Sequence, residues 1–174
     1  VSDGPDPELS EKLFPPWRTG GHSRWFVNLP EHDDAPHWGH LARLHGLEFA
    51  TGEFITYCDD DDALRPKHCE LLATALMEHP EIGWVSSLMA SHSPAADGED
   101  VITEIGHGAP SCGNIGTPMI MHRREILEKG TWETASSFED WELVNKWIHA
   151  GVLHRQVGEV TIDVWPSTYY GPGR

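Results

Sequence analysis

The sequence predicts an α/β domain with a mostly parallel central sheet flanked by helices. Three observations carry that expectation. Strand-like and helix-like segments alternate through the first half of the chain. The run EFITYC, residues 53–58, is too apolar for simple alternation, as suits a strand covered on both faces. Carboxylates gather where strands are expected to end, and open α/β sheets collect ligands there. At 174 residues the chain suits one domain, 1–174, with a substantial core.

Each element has its own signal. The opening VSDGPDPEL reads as the end of a strand entering a turn, with Asp3 where the chain leaves the sheet. FPPWRTGGHS is loop, RWFVNL (residues 24–29) a short strand, and PEHDDAPHWG turn-rich. Leu41, Leu44, Leu47 and Phe49 predict a helix over His40–Ala50, stopped by Gly52. After EFITYC and the acidic run, Pro66 fits the first turn of a helix with the stripe Leu71, Leu72, Ala75, Leu76. IGWVSSLMA is a strand, SHSPAADGED a polar loop, VITEI a further apolar segment, and GHGAPSCGNIG a Gly-rich loop suited to a turn or a close approach to ligand. TPMIMH and the short helix RREILEKG follow. Trp141, Leu143, Val144, Trp147 and Ile148 predict a helix ending at Gly151, and VLHRQVG and VTIDVW read as two closing strands.

Acidic residues outnumber basic ones 28 to 12, for a formal charge of -16, which argues against a nucleic-acid backbone or an anionic membrane as partner. Cys58, Cys69 and Cys112 show no CxxC spacing, so a reducing compartment is expected. No apolar run reaches the ~18 residues of a transmembrane helix, and the start lacks the basic and apolar regions of a signal peptide. A cytoplasmic location is the resulting expectation.

The segment Asp59–Asp62 places four like charges in succession after an apolar strand. Such carboxylates can share a hard divalent cation that relieves their repulsion. They can equally form a solvated loop or favour the dipole of the helix near Pro66. Glu139 and Asp140 likewise stand before an amphipathic helix, as cap or as general base. Arg43 suits either a salt bridge on its helix or a place near the acidic loop. Among eight tryptophans, Trp38 and Trp132 lie in polar surroundings and are candidates to stack on a sugar, whereas Trp84, Trp141 and Trp147 sit at core-like positions. His122, beside Arg123 and Arg124, is arguable as a diphosphate or acceptor contact.

The segment GHLARLHGLEFATGEFITYCDDDDALRPKHCELLATALMEHPEIGWVSS resembles the nucleotide-sugar-binding core of the family-2 inverting glycosyltransferases. The matched positions are Ala42, Arg43, Gly46, Gly52, Asp59, Asp61, Asp62 and Pro66. VSDG, CGNIGTPMIMHRREIL and SFEDWEL resemble further parts of that family. The resemblance implies a GT-A type fold for nucleotide-diphospho-sugar transfer. Asp61 would then bind Mn²⁺ or Mg²⁺, with His154 a further metal ligand by position. Asp3 would bind the nucleotide base and Asp59 the ribose or the metal shell, with Asp60 and Arg43 also on the nucleotide side. Asp140 would be the catalytic base. Glu139, Trp132 and Asn114 would face the sugar or the acceptor.

The implied function is metal-dependent, inverting transfer from a nucleoside diphosphate sugar, a UDP-sugar by family habit, to an acceptor hydroxyl. The family's strand and helix preceding Val1 are not in this sequence. They are expected on a separate chain or in omitted residues, so the domain reads as truncated or split at its N-terminus. Absence of the family's QxxRW motif favours single transfer over processive synthesis. Two rivals remain: a metal-dependent phosphoryl or nucleotidyl transferase, and a non-catalytic nucleotide- or sugar-binding module.

Overall fold

A computed structural model describes residues 39–59, 61–95, 99–133 and 138–165. Asp3, Asp60, Trp38 and the expected strand at 24–29 lie outside the described residues. The chain divides into two compact units: Val1–Thr51 with Thr131–Glu139, and Gly52–Gly130 with Asp140–Arg174.

In the first unit, helix α1 (His40–Phe49) follows the expected apolar spacing and closes with Ala50 N–H donating to Gly46 O at 3.0 Å. It starts from Gly39 at φ 87°, a left-handed conformation that glycine adopts without a Cβ clash.

The second unit holds a six-stranded sheet: β1 (Phe54–Thr56), β2 (Asp62–Leu64), β3 (Ile82–Pro94), β4 (Asp100–Ile105), β5 (Ile120–Arg123) and β6 (Leu153–Val164). Its order is β1-β5-β3-β6-β2, with β4 also paired to β3. Among the described residues the sheet is mixed, which corrects the expectation of a mostly parallel one: of its pairings there only β3 with β6 is parallel. The strand-helix-strand pattern did fix direction, because β1 and β3 are both antiparallel to β5 and so run the same way. It could not fix adjacency, because β5 inserts between them.

Helix α2 (His68–Glu78) covers one face of this sheet. Leu72 and Leu76 are fully buried with Val85 and Met121, which face each other across β3 and β5. The next pair along, Trp84 and His122, points to the opposite face by the alternation of strands. There helix α3 (Glu139–His149) places Trp147 with its ring centroid 5.9 Å from Trp84 and 4.9 Å from His122. Leu143 and Val144 are buried as the stripe predicted, whereas Ile148 is 40% exposed.

Three boundaries differ from the sequence reading. β3 runs on to Pro94 through residues read as loop, because residues 89–94 find ladder partners on β4. The two expected closing strands are one, β6, whose break at Gly158 is a register irregularity opposite Ser86–Leu88. The expected helix RREILEKG is a 3₁₀ segment, Arg124–Lys129, and a second 3₁₀ turn at Thr117–Met119 replaces the start of the TPMIMH strand.

Candidate active site

The acidic run begins three residues beyond the end of β1, and its last member, Asp62, opens β2. Those strands are the two opposite edges of the main sheet path, so the connection carrying the carboxylates joins one edge to the other.

The connection is anchored on both faces where it leaves β1. The His122 ring is fully buried, and its Nδ1 lies 2.8 Å from Arg123 O, an acceptor, so that nitrogen carries the proton. Nε2 is then the acceptor for the Tyr57 hydroxyl at 2.8 Å. Burial lowers the His122 pKa to about 4, which keeps the ring neutral and this arrangement intact at neutral pH. On the other face the Thr56 hydroxyl donates to Ile120 O at 2.8 Å and accepts from His68 Nε2 at 3.2 Å. His68 Nδ1 meets the Thr161 hydroxyl at 2.8 Å, and Thr161 meets that of Ser87 at 2.7 Å. Burial lowers the His68 pKa, which favours the neutral ring.

Within the turn, Asp62 N–H donates to Asp59 O at 3.2 Å, and the Cys58 thiol lies 3.4 Å from Asp59 O and 3.7 Å from Asp62 O. Burial of the thiol, and after it the carboxylates of Asp62 and Asp59, push the Cys58 pKa up, so this exposed cysteine stays protonated. Beyond the turn β2 pairs with the end of β6, Arg65 N–H donates to Thr161 O at 2.8 Å, and the Arg65 guanidinium grips Asp163 through Nε at 2.9 Å and Nη2 at 2.7 Å. Asp59, Asp61 and Asp62 are half-buried. Among the described residues no three His, Cys, Asp or Glu side chains are grouped so as to hold a metal ion.

Asp140 is half-buried near the start of α3, its Oδ1 accepting from Trp141 N–H at 2.6 Å. The short connection 150–152 joins α3 to β6, with Val152 N–H donating to Trp147 O at 2.9 Å. Asp140 stands seven residues before Trp147, about 10 Å along the helix.

The other expected site residues are dispersed. In the first unit, Arg43 forms a buried ion pair with Glu139, His40 Nδ1 lies 3.9 Å from Glu139, and the Arg43 guanidinium sits 4.9 Å over the ring of buried Trp132. Trp132, expected in polar surroundings, is thus a packed platform for Arg43. In the second unit, Asn114 staples its own loop, with Oδ1 accepting from Gly106 N–H and Nδ2 donating to His107 O, both at 2.8 Å. His154 stacks on Trp84 at 3.9 Å and bonds the Ser86 hydroxyl through Nε2 at 2.9 Å, and burial lowers its pKa to about 4. Nothing local in the chain marks the Tyr57–His122 pair, whose members lie 65 residues apart.

A family model described as Glycosyl transferase family 2 matches residues 34–104. The matched stretch includes α1, β1, the acidic turn, β2, α2 and β3, and excludes Asn114, Trp132, Asp140 and His154. It supports transferase character in general terms. No curated protein matches the chain. Among the described residues no helix is long and apolar enough to cross a membrane.

Proposed function

We propose that the chain is a GT-A type transferase domain that moves a sugar from a nucleoside diphosphate donor to an acceptor hydroxyl with inversion. The observation that carries this reading is the acidic turn, anchored at both ends, following β1 and lying inside the family-matched segment.

Asp61 would hold the divalent cation, with Asp59 toward the ribose or the metal shell. A cation carried on a diphosphate takes one or two carboxylates from the protein and fills its remaining positions with phosphate oxygens and water. The half-buried Asp59 and Asp61 suit that demand. Bound there, the ion supplies charge neutralisation for the departing diphosphate. Asp140 acts as general base. Its carboxylate takes the proton of the acceptor hydroxyl as that oxygen attacks the anomeric carbon, and the bond to the diphosphate oxygen breaks with its electron pair leaving on the diphosphate. No covalent enzyme intermediate is needed.

Calorimetric titration of UDP, GDP and dTDP, with and without Mn²⁺, tests the site. The expected result is Mn²⁺-dependent binding of one nucleotide, lost in Asp61→Ala. Asp140→Asn is expected to keep that binding and to lose donor turnover. Absence of metal-dependent binding to any of the three would overturn the reading. Binding with turnover unaffected by Asp140→Asn would overturn the assignment of the base.

A further inference from the structure

Away from the acidic turn, toward the end of the β3–β6 ribbon, one imidazole bridges carboxylates from two other strands. His92 on β3 has Nδ1 2.5 Å from Asp100 Oδ2 on β4 and Nε2 2.9 Å from Asp163 Oδ1 on β6. Trp165 stacks on the ring with centroids 4.8 Å apart and planes at 20°. The charged groups bearing on this cluster, among the described residues, are Asp100 on β4, Asp163 on β6, Arg65 after β2, and Glu104 on β4, which acts on Arg65.

An ionised carboxylate only accepts hydrogen bonds, and a neutral imidazole carries a single N–H. A neutral His92 would therefore turn a lone pair toward one of the two carboxylates. Both contacts are satisfied together only by the imidazolium, as two charge-assisted hydrogen bonds. Arg65 already grips both oxygens of Asp163, which keeps that carboxylate ionised and in place. Asp100 is 42% exposed and can be hydrated once released.

We propose that His92 is a protonation-controlled clamp: as a cation it ties the start of β4 to the end of β6, and loss of its proton breaks one of the two bonds and severs that tie. The consequence falls on β4, whose residues 100–104 are all exposed and which, among the described residues, pairs only with β3. This inference stands independently of the transferase reading. The hydrogen bonds that His92 donates to Asp100 and Asp163 also raise its pKa, in the direction the geometry requires.

The test is imidazole NMR of the full chain labelled with ¹⁵N-histidine, with the His92 signals identified by their loss in His92→Gln. Both ring nitrogens are expected to carry imidazolium shifts at pH 7, with a titration midpoint above the ordinary value. Asp100→Asn, at an exposed carboxylate, is expected to keep the fold and lower that midpoint. Hydrogen exchange, corrected for its intrinsic base catalysis, is expected to show β4 losing protection as pH rises through the wild-type midpoint. A neutral tautomer at pH 7, or a midpoint unmoved by Asp100→Asn, would overturn the assignment of the cation. Unchanged β4 protection across the midpoint would overturn the clamp.

Discussion

Replacing Tyr57 by Phe deletes one oxygen and leaves the His122 Nε2 acceptor without its hydroxyl in a fully buried position. A buried polar group stripped of its partner costs about 1–3 kcal/mol. His122→Phe does the reciprocal damage, removing the acceptor of the Tyr57 hydroxyl and the donor to Arg123 O at 2.8 Å. When both polar partners are replaced by apolar rings, most of that desolvation cost disappears. The rings stack at 5.7 Å with an interplanar angle of 26°, so two Phe side chains fit the existing geometry. The double variant should therefore be more stable than the sum of the singles by about 1–2 kcal/mol. In a chain of this length that coupling corresponds to roughly 2–8 °C in Tm. Urea unfolding of the four proteins measures it directly. Additivity within about 0.3 kcal/mol would refute the pairing, and with it the account of how the acidic turn is fixed where it leaves β1.

Two further predictions concern pH and backbone. His122 and His154 have folded pKa values of about 4 against an ordinary 6.5, so the unfolded chain binds more protons between those limits and stability falls as pH drops through that window. Each contributes at most about 3 kcal/mol of that loss. His92 has the opposite sign: its contribution is complete below the ordinary 6.5 and is lost as pH rises through its raised value. Tm measured from pH 4 to 9 should fall at both ends, and a flat acid limb down to pH 5 would contradict the burial of the two neutral imidazoles. Gly106 has φ 109°, and a Cβ there would lie 2.3 Å from Met119 Cε, whereas Gly108 at φ 84° faces open space. Gly106→Ala should cost about 1–3 kcal/mol more than Gly108→Ala in urea unfolding, and equal costs would remove the steric part of that argument.

The elements that were legible in the sequence are those whose signal is local and periodic. The stripes Leu72–Leu76 and Leu143–Val144–Trp147 were visible because a helix buries every third or fourth residue whatever it packs against. β2 was invisible: Asp62–Leu64 has no apolar alternation and is a strand only because the end of β6, nearly a hundred residues on, supplies ladder partners. Strand order was beyond reach for the same reason, since Phe54 pairs with Arg123 and Ile82 with Leu153. At the candidate site, the carboxylates could be named from their placement after an apolar strand. Their supports could not, because Tyr57 meets His122 and Arg65 meets Asp163 only through the tertiary fold. Asn114 and His154 drew attention by residue type and position, and each is occupied by a local structural task that a sequence does not display.

The strand order also bears on when, during synthesis, the acidic turn can take shape. Its two flanking strands are edges that pair with segments emerging much later, β1 with β5 and β2 with β6. Only the β3–β4 hairpin joins strands that are consecutive in the chain. A nascent chain can form α1, α2 and that hairpin early, but pairing between distant segments must first overcome loop closure. The far end of the acidic turn therefore lacks its ladder partner until Val164, which pairs with Asp62, has been made. A chain ending before Leu153 would keep every residue of the acidic run and still lack the strand that holds its far end.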